Sequence, residues 1–270
     1  MHIQEISRKR SGYNKGEDMI TIKGKTIGAG KPCVCVPVLG REKKEIIEEI
    51  LELAKKTVDI IEWRVDAFLE CLDFNEVREI LHTVAPHLSE KIFLYTFRTK
   101  LQGGYGDVTP EQLDDIHDIA AESGVVDLLD LEFFAEEFPI IKILKLQEKG
   151  IKIVASHHDF EETPERDVMK MLLERMCAGN ADIVKIAVMP KDTDDVLRLL
   201  SVTSEFYREN PDTPIISMSM GKLGTISRLS GETFGSCVTF AANKESSAPG
   251  QMNMEKVIEI IDFLHENILE

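Results

Sequence analysis

The chain is poor in aromatic side chains and in positive charge, and it has few cysteines. Aromatics make up 6 % of its 270 residues, with one tryptophan. Lysine and arginine number 32 against 48 acids, for a formal net charge of −16. A chain that negative repels nucleic acid and anionic membranes, so neither is expected as a partner. If its substrate is also an anion, the site has to supply arginines locally against the overall field. The five cysteines, Cys33, Cys35, Cys71, Cys177 and Cys237, are an odd number, and four of them lie in or beside apolar runs as reduced thiols do. No pair of CxxC units and no Cys/His cluster is present, so no metal site is expected, and Cys33-x-Cys35 reads as strand core. No apolar run approaches the ~20 residues of a membrane span, and there is no secretory signal core. Together these absences point to a reduced, cytoplasmic protein. What is there suffices for a large core: 43 % of residues are hydrophobic and 30 % charged, which suits one α/β domain or two small ones.

Residues 1–18 are polar and basic, with Ser7-Arg8-Lys9-Arg10, Gly12 and Gly16, and read as a disordered leader, native or appended. Ile20 to Ile27 alternates around Gly24, a short hairpin signal. A rhythm then begins. Strands are expected over Val34–Leu39, Asp59–Asp66, Lys91–Arg98, Val125–Glu132, Ile151–His158, Asp182–Met189, Pro214–Met220 and Cys237–Ala242. Helices alternate with them, over Glu42–Lys55, Asn75–Ala85, Thr109–Glu122, Phe138–Lys149, Pro164–Cys177, Asp194–Arg208, Thr225–Leu229 and Met254–Ile268. Thr109 is a good N-cap, with Pro110 at the first helical position and Gln112 closing a capping box; Thr163 is the expected cap of the Pro164 helix. Strands that alternate with helices pair in parallel through right-handed crossovers. Eight such units at a period of roughly 25 to 30 residues are the arithmetic of a (β/α)8 TIM barrel. Residues 19–270 are therefore expected to form one such barrel, with the hairpin at its N-terminus. A doubly wound open sheet is the alternative, but Val38-Leu39-Gly40-Arg41 lacks the GxGxxG turn that usually follows its first strand.

Barrel chemistry sits at the carboxyl ends of the strands, so polar residues inside apolar strands carry the most weight. Asp182-Ile183-Val184-Lys185-Ile186-Ala187-Val188-Met189-Pro190 is a β-branched, apolar strand with a lysine at its centre. Lys185 either reaches water at the strand's end or is desolvated, and a desolvated lysine becomes an amine that attacks carbonyls. Glu62, Arg64 and Asp66 alternate and share an inward face, as a binding set or a salt-bridged layer. Asp130 and Glu132 share another face. In Ser156-His157-His158-Asp159 one histidine points in and the other out. A lysine and a histidine on adjacent strand ends can serve one reaction: the imine makes a neighbouring C–H acidic, and the histidine removes that proton and returns it to a leaving hydroxyl. Arg64, Arg98 and Arg228 supply forked donors for a carboxylate and hydroxyls. The residues thus imply Schiff-base chemistry on a small acidic ketone.

Several motifs occur in an order that resembles the type I 3-dehydroquinate dehydratases: Ile61-Glu62-Trp63-Arg64-Val65-Asp66, Thr96-Phe97-Arg98, Asp130-Leu131-Glu132, His158-Asp159-Phe160, Lys185 to Pro190, Ser217-Met218-Ser219-Met220, Ile226-Ser227-Arg228-Leu229 and Ser247-Ala248-Pro249-Gly250-Gln251. The resemblance runs from about Gly28 to the end and implies a barrel, commonly a homodimer, without metal or cofactor. It implies that Lys185 forms the imine, that His158 transfers protons, and that Arg228 pairs with the substrate carboxylate. Glu62, Arg64, Arg98, Ser247 and Gln251 would bind hydroxyls and carboxylate, with Asp130 behind them orienting the histidine. The implied reaction is loss of water from 3-dehydroquinate to give 3-dehydroshikimate. Three positions depart from the family's pattern: Gln102, where glutamate is usual before the Gly103-Gly104 pair; His157, where asparagine is usual; and Val184, where proline is usual. An amide at 102 keeps the shape but takes no proton, so slower dehydration than in glutamate-bearing relatives is expected. Leu101 to Val108 and Glu245 to Gln251 read as movable, the first for its glycines and few anchors. Two other readings stay open: another Schiff-base barrel such as an aldolase, which Arg228 and the Ser247–Gln251 loop argue against, and a binding relative impaired in turnover, with Gln102 as its mark.

Overall fold

A computed structural model describes residues 20–244 and 246–268; the leader expected over residues 1–18 lies outside the described residues. The hairpin forms as β1 (Ile20–Ile22) and β2 (Lys25–Ile27), paired antiparallel. Eight parallel strands follow: β3 (Cys33–Val38), β4 (Ile60–Arg64), β5 (Ile92–Thr96), β6 (Leu128–Glu132), β7 (Lys152–Asp159), β8 (Ile183–Val188), β9 (Ile215–Ser219) and β10 (Val238–Phe240). Each lies beside the next in chain order, and β10 returns to pair with β3. The remaining gap closes where the Cys237 N–H donates to the Ile215 carbonyl at 2.8 Å. This nearly closed ring excludes the doubly wound alternative, whose edge strands stay apart.

Side-chain alternation along the strands sorts the core into two shells. Outward residues such as Val36, Ile61, Trp63, Phe93, Leu129, Ile153 and Ile186 pack under the helices. Inward residues such as Cys35, Ile60, Leu94, Leu128, Val154, Ile183 and Ile216 fill the barrel. Both faces are buried, which is why the strands read as nearly continuous apolar runs. The helices are α1 (Lys43–Leu53), α2 (Phe74–Val84), α3 (Pro110–Glu122), α4 (Pro139–Glu148), α5 (Arg166–Ala178), α6 (Thr193–Glu209), the short α7 (Thr225–Leu229) and α8 (Gly231–Phe234), and α9 (Met254–Ile268). The capping box at Thr109 is present, with Pro110 opening α3. Thr163 does not cap α5. Its hydroxyl donates to the Met189 carbonyl at 3.1 Å, tying β8's end to the preceding loop, and the helix begins three residues later behind Glu165. The four-residue α8 was not expected. All five thiols are free, with Cys33, Cys35 and Cys237 buried.

The floor of the barrel repeats one device that the sequence did not advertise. Asp59, Asp127 and Asp182 each stand just before an even-numbered strand. Their carboxylates accept the backbone N–H of Val34 (2.9 Å), Phe93 (2.7 Å) and Ile153 (2.9 Å) on the strand before. The backbone N–H of each aspartate donates back across the same pair, to Val34, Phe93 and Ile153 carbonyls. The hairpin then docks on two of these acids, through Lys25–Asp59 at 2.8 Å and Lys23–Asp127 at 2.6 Å, while Ile27 is fully buried against the inner shell.

Candidate active site

Above the inner apolar shell the same period-2 alternation turns polar. Glu62 and Arg64 follow Ile60 on β4, Thr96 follows Leu94 on β5, and Asp130 and Glu132 follow Leu128 on β6. Ser156 and His158 follow Val154 on β7, and Lys185 follows Ile183 on β8. Strand register brings these together: Ser156 stands opposite Lys185, and Thr96 opposite Asp130. All are buried except His158, which is half-buried.

Lys185 faces inward and is 3 % exposed, so it does not sit at a solvated strand end. It is not the unpaired amine expected from its apolar strand either: Nζ lies 2.9 Å from Asp130 Oδ2 and 4.5 Å from the centre of the Phe240 ring. Asp130 in turn meets Arg98 Nη2 at 2.7 Å and accepts the Ser156 hydroxyl at 2.6 Å. Burial would raise the Asp130 pKa, but Arg98, Lys185 and His158 outweigh it and hold the carboxyl far below the usual range. Arg98 also donates to Glu132 and to Ser156, both at 3.0 Å. Burial alone would depress it; Asp130 and Glu132 outweigh that and raise its pKa. Arg64 and Asp66 form a bidentate pair with both contacts at 2.8 Å, and Glu62 accepts the Thr96 hydroxyl at 2.8 Å.

Asp130, expected to orient His158, acts on it through charge and makes no hydrogen bond to it. That contact belongs to Gln102, whose Oε1 accepts the His158 backbone N–H at 2.9 Å and lies 3.0 Å from Nδ1. Burial first, then Arg98 and Lys185, push the His158 pKa well below its ordinary value. Nor is the segment around Gln102 short of anchors. Thr99 bonds Glu132 through its backbone at 2.9 Å and its hydroxyl at 2.7 Å, Gly106 returns to the Arg98 carbonyl, and Tyr105 N–H donates to Asp66 at 3.0 Å. The outward histidine, His157, packs edge-on against Phe134 with centroids 5.5 Å apart. Val184 lies in the outer shell and leaves Lys185 in place.

Arg228 differs from the other arginines. It is 2 % exposed, yet no carboxylate pairs with it among the described residues. Nη2 donates to the Pro249 carbonyl at 3.0 Å, Nη1 lies 3.7 Å from Met218 Sδ, and Nε has no partner. Burial pushes its pKa down to about 10. Ser247 and Gln251 bond each other, both contacts at 2.8 Å. Gly250 lies in the left-handed region at φ +83°, and a Cβ there would stand 2.2 Å from the Gly221 carbonyl oxygen, so the turn beside Arg228 requires glycine. Glu62, Arg64, Arg98, Gln102, His158, Lys185, Ser247 and Gln251 line one cleft, with Met218, Met220 and Phe240 as its apolar wall. Ser156, which joins Asp130 to Arg98, and Thr99 were not singled out from sequence. Ser156 had a signal, since it shares a face with His158 two residues on.

A barrel with buried cations, a lysine and a histidine around one cleft at its carboxyl end defines a single-barrel enzyme that works on a small molecule. A family model described as type I 3-dehydroquinase matches residues 34–268. The chain is 40 % identical over 250 residues to the 3-dehydroquinate dehydratase of Clostridioides difficile strain 630, covering 92 % of this chain and 98 % of that one. It is 39 % identical to the Bacillus subtilis strain 168 3-dehydroquinate dehydratase, over 93 % of this chain and 98 % of that one. The Geobacillus kaustophilus 3-dehydroquinate dehydratase crystal structure superposes with a TM-score of 0.88 at 34 % identity, over 92 % of this chain and 96 % of that one. A type I enzyme from Clostridium difficile with covalent modified comenic acid also gives a TM-score of 0.88, at 39 % identity over 92 % and 98 %. The chain belongs to the type I 3-dehydroquinase family.

Proposed function

We propose that this hydro-lyase converts 3-dehydroquinate to 3-dehydroshikimate through an imine on Lys185, as a step of the shikimate pathway. The observation that carries the reading is that Lys185 and His158 face one cleft from adjacent strands. In its amine form Lys185 adds to the substrate ketone, and loss of water gives the imine. His158 takes the proton from the neighbouring carbon, whose electrons flow into the imine to form an enamine. The enamine expels the hydroxyl, His158 returns the proton to it as water leaves, and hydrolysis of the product imine frees Lys185. Arg228 is the fit for the substrate carboxylate, since a buried guanidinium without a counter-ion is costly until an anion arrives. Glu62, Arg64, Arg98, Ser247 and Gln251 bind the remaining hydroxyls and the carboxylate, and the segment carrying Ser247 and Gln251 closes over them. The covalently modified ligand in the Clostridium difficile relative supports a site that bonds an acidic molecule. The same reading places the protein in the cytoplasm as a homodimer that uses no metal or cofactor.

A second reading is favoured by one residue. Gln102 cannot share a negative charge with His158, so the chain would bind the ligand and turn it over poorly. Incubation with 3-dehydroquinate, then borohydride, separates the two. A reduced adduct with growing enone absorbance supports the lyase; an adduct without enone supports the impaired binder; neither contradicts both.

A further inference from the structure

The residue that holds His158 is an amide, and its orientation determines which ring nitrogen works. The His158 backbone N–H donates to Gln102 at 2.9 Å, and only the oxygen of an amide accepts such a bond. That contact identifies the atom as Oε1 without appeal to the imidazole. The same oxygen lies 3.0 Å from Nδ1, so Nδ1 must carry the proton and donate. We propose that Gln102 is a positioning residue that locks His158 as the Nδ1–H tautomer with an uncharged partner, leaving Nε2 as the proton-accepting atom and giving the imidazolium no carboxylate against its ring.

Two further observations support the lock. Gln102 ends the turn Lys100–Gln102, and Gly103 follows at φ +81° with its Cα against the Phe160 ring, where a Cβ would stand 2.4 Å from it. Phe160 stacks on His158 at 6.4 Å between centroids and 18° between planes. Phe160 thus borders both the turn that carries the amide and the ring that the amide holds. The charged groups facing His158 are Arg98 beyond β5, Lys185 on β8, Arg64 on β4 and Asp130 on β6. Three are cations, and Asp130 is already engaged by Arg98 and Lys185. From β9 and β10 the cleft receives Met218 and Phe240, which carry no charge. Glu62 on β4 also lines the cleft, so the acids on this side are Glu62, bonded to Thr96, and Asp130, which raises the His158 pKa less than burial and the cations lower it.

The inference rests on the proposed role of His158 as base, but its test does not need turnover. The full-length protein, labelled with 15N-histidine, is titrated between about pH 4 and 8 by NMR, with His158→Asn assigning the signal. The native protein should show a single Nδ1–H tautomer that stays neutral well below the ordinary histidine range. Gln102→Glu accepts the same two bonds and adds a charge. It should raise the His158 midpoint by about one unit or more, and move the acid limb of kcat/KM by the same amount. On the alkaline side of that shifted limb its turnover should exceed the native rate. Gln102→Leu should mix the tautomers while the protein stays folded. An Nε2–H tautomer in the native protein, or a Gln102→Glu midpoint that does not move, overturns the proposal. A tautomer result as expected, alongside failed borohydride trapping, would instead overturn the functional reading and leave the lock standing.

Discussion

The floor and the mouth of this barrel are built from the same kinds of charged residue, and they use them in opposite ways. On the floor each acid is matched: Asp59 and Asp127 hold a backbone N–H and a hairpin lysine, and Asp182 holds a backbone N–H and Lys152. At the mouth Arg228 is buried without a carboxylate, His158 faces more cations than anions, and Ser247 and Gln251 satisfy each other. A scaffold whose floor aspartates are all paired can carry an arginine without a counter-ion at its other end. The contrast teaches that paired charges such as Arg64–Asp66 and Arg98–Asp130–Lys185 build the mouth, while Arg228, with no carboxylate among the described residues, marks where an anion fits.

If the contrast is correct, mutations at the two ends should separate activity from stability. Arg228→Lys replaces a forked donor by a point charge where a carboxylate is expected. It should raise KM for 3-dehydroquinate by roughly 10- to 100-fold with little change in melting temperature. A KM within twofold of native would remove Arg228 from carboxylate recognition. Asp127→Ala leaves the Phe93 N–H without its carboxylate and Lys23 with only the Lys91 carbonyl. It should cost about 1.5–3 kcal/mol of stability, read as a lowered Tm, with kcat unchanged below the transition. A fall in kcat without a fall in Tm would blur the division between the ends.

The smallest effect tests a residue that belongs to neither end. His117 on α3 is buried, and neither ring nitrogen has a partner among the described residues. Burial holds its pKa well below the ordinary value, as it does for His158 and, less strongly, His157. Below about pH 6.5 the unfolded chain binds protons at these positions that the folded chain refuses, so stability falls as the pH drops. His117→Leu removes one such group. Its Tm should decline less steeply than that of the native protein as the pH is lowered from about 6.5, and parallel curves would contradict the assignment.

Much of the site was legible because the strand pleat imposes a period of two on any sequence that forms a strand. In Glu62-Trp63-Arg64 and Asp130-Leu131-Glu132 alternation tells which members share a face, and in His157-His158 that one ring points in, while the family resemblance singles out His158. Lys185 stands out as the charge in an apolar strand. What alternation does not reveal is which acid meets which cation, since that depends on register between strands far apart in the chain. Asp130 and Lys185 are 55 residues apart in sequence and 2.9 Å apart in space. The hydrogen bond to His158 expected of Asp130 is made instead by Gln102, also expected near the histidine, through a turn anchored on Glu132 of β6 and on Asp66 just beyond β4. Thr163 has the residue type of a helix cap but a nearer acceptor, the Met189 carbonyl. The floor aspartates gave no local signal, because each closes a contact with the strand before it.

Peptide mapping of the borohydride-reduced complex with 3-dehydroquinate tests the central claim most directly. The account predicts a single modified residue, Lys185, and no adduct in Lys185→Met, whose turnover should fall to background. Product formation with an unmodified Lys185, or a substrate-dependent adduct on another lysine, would contradict it.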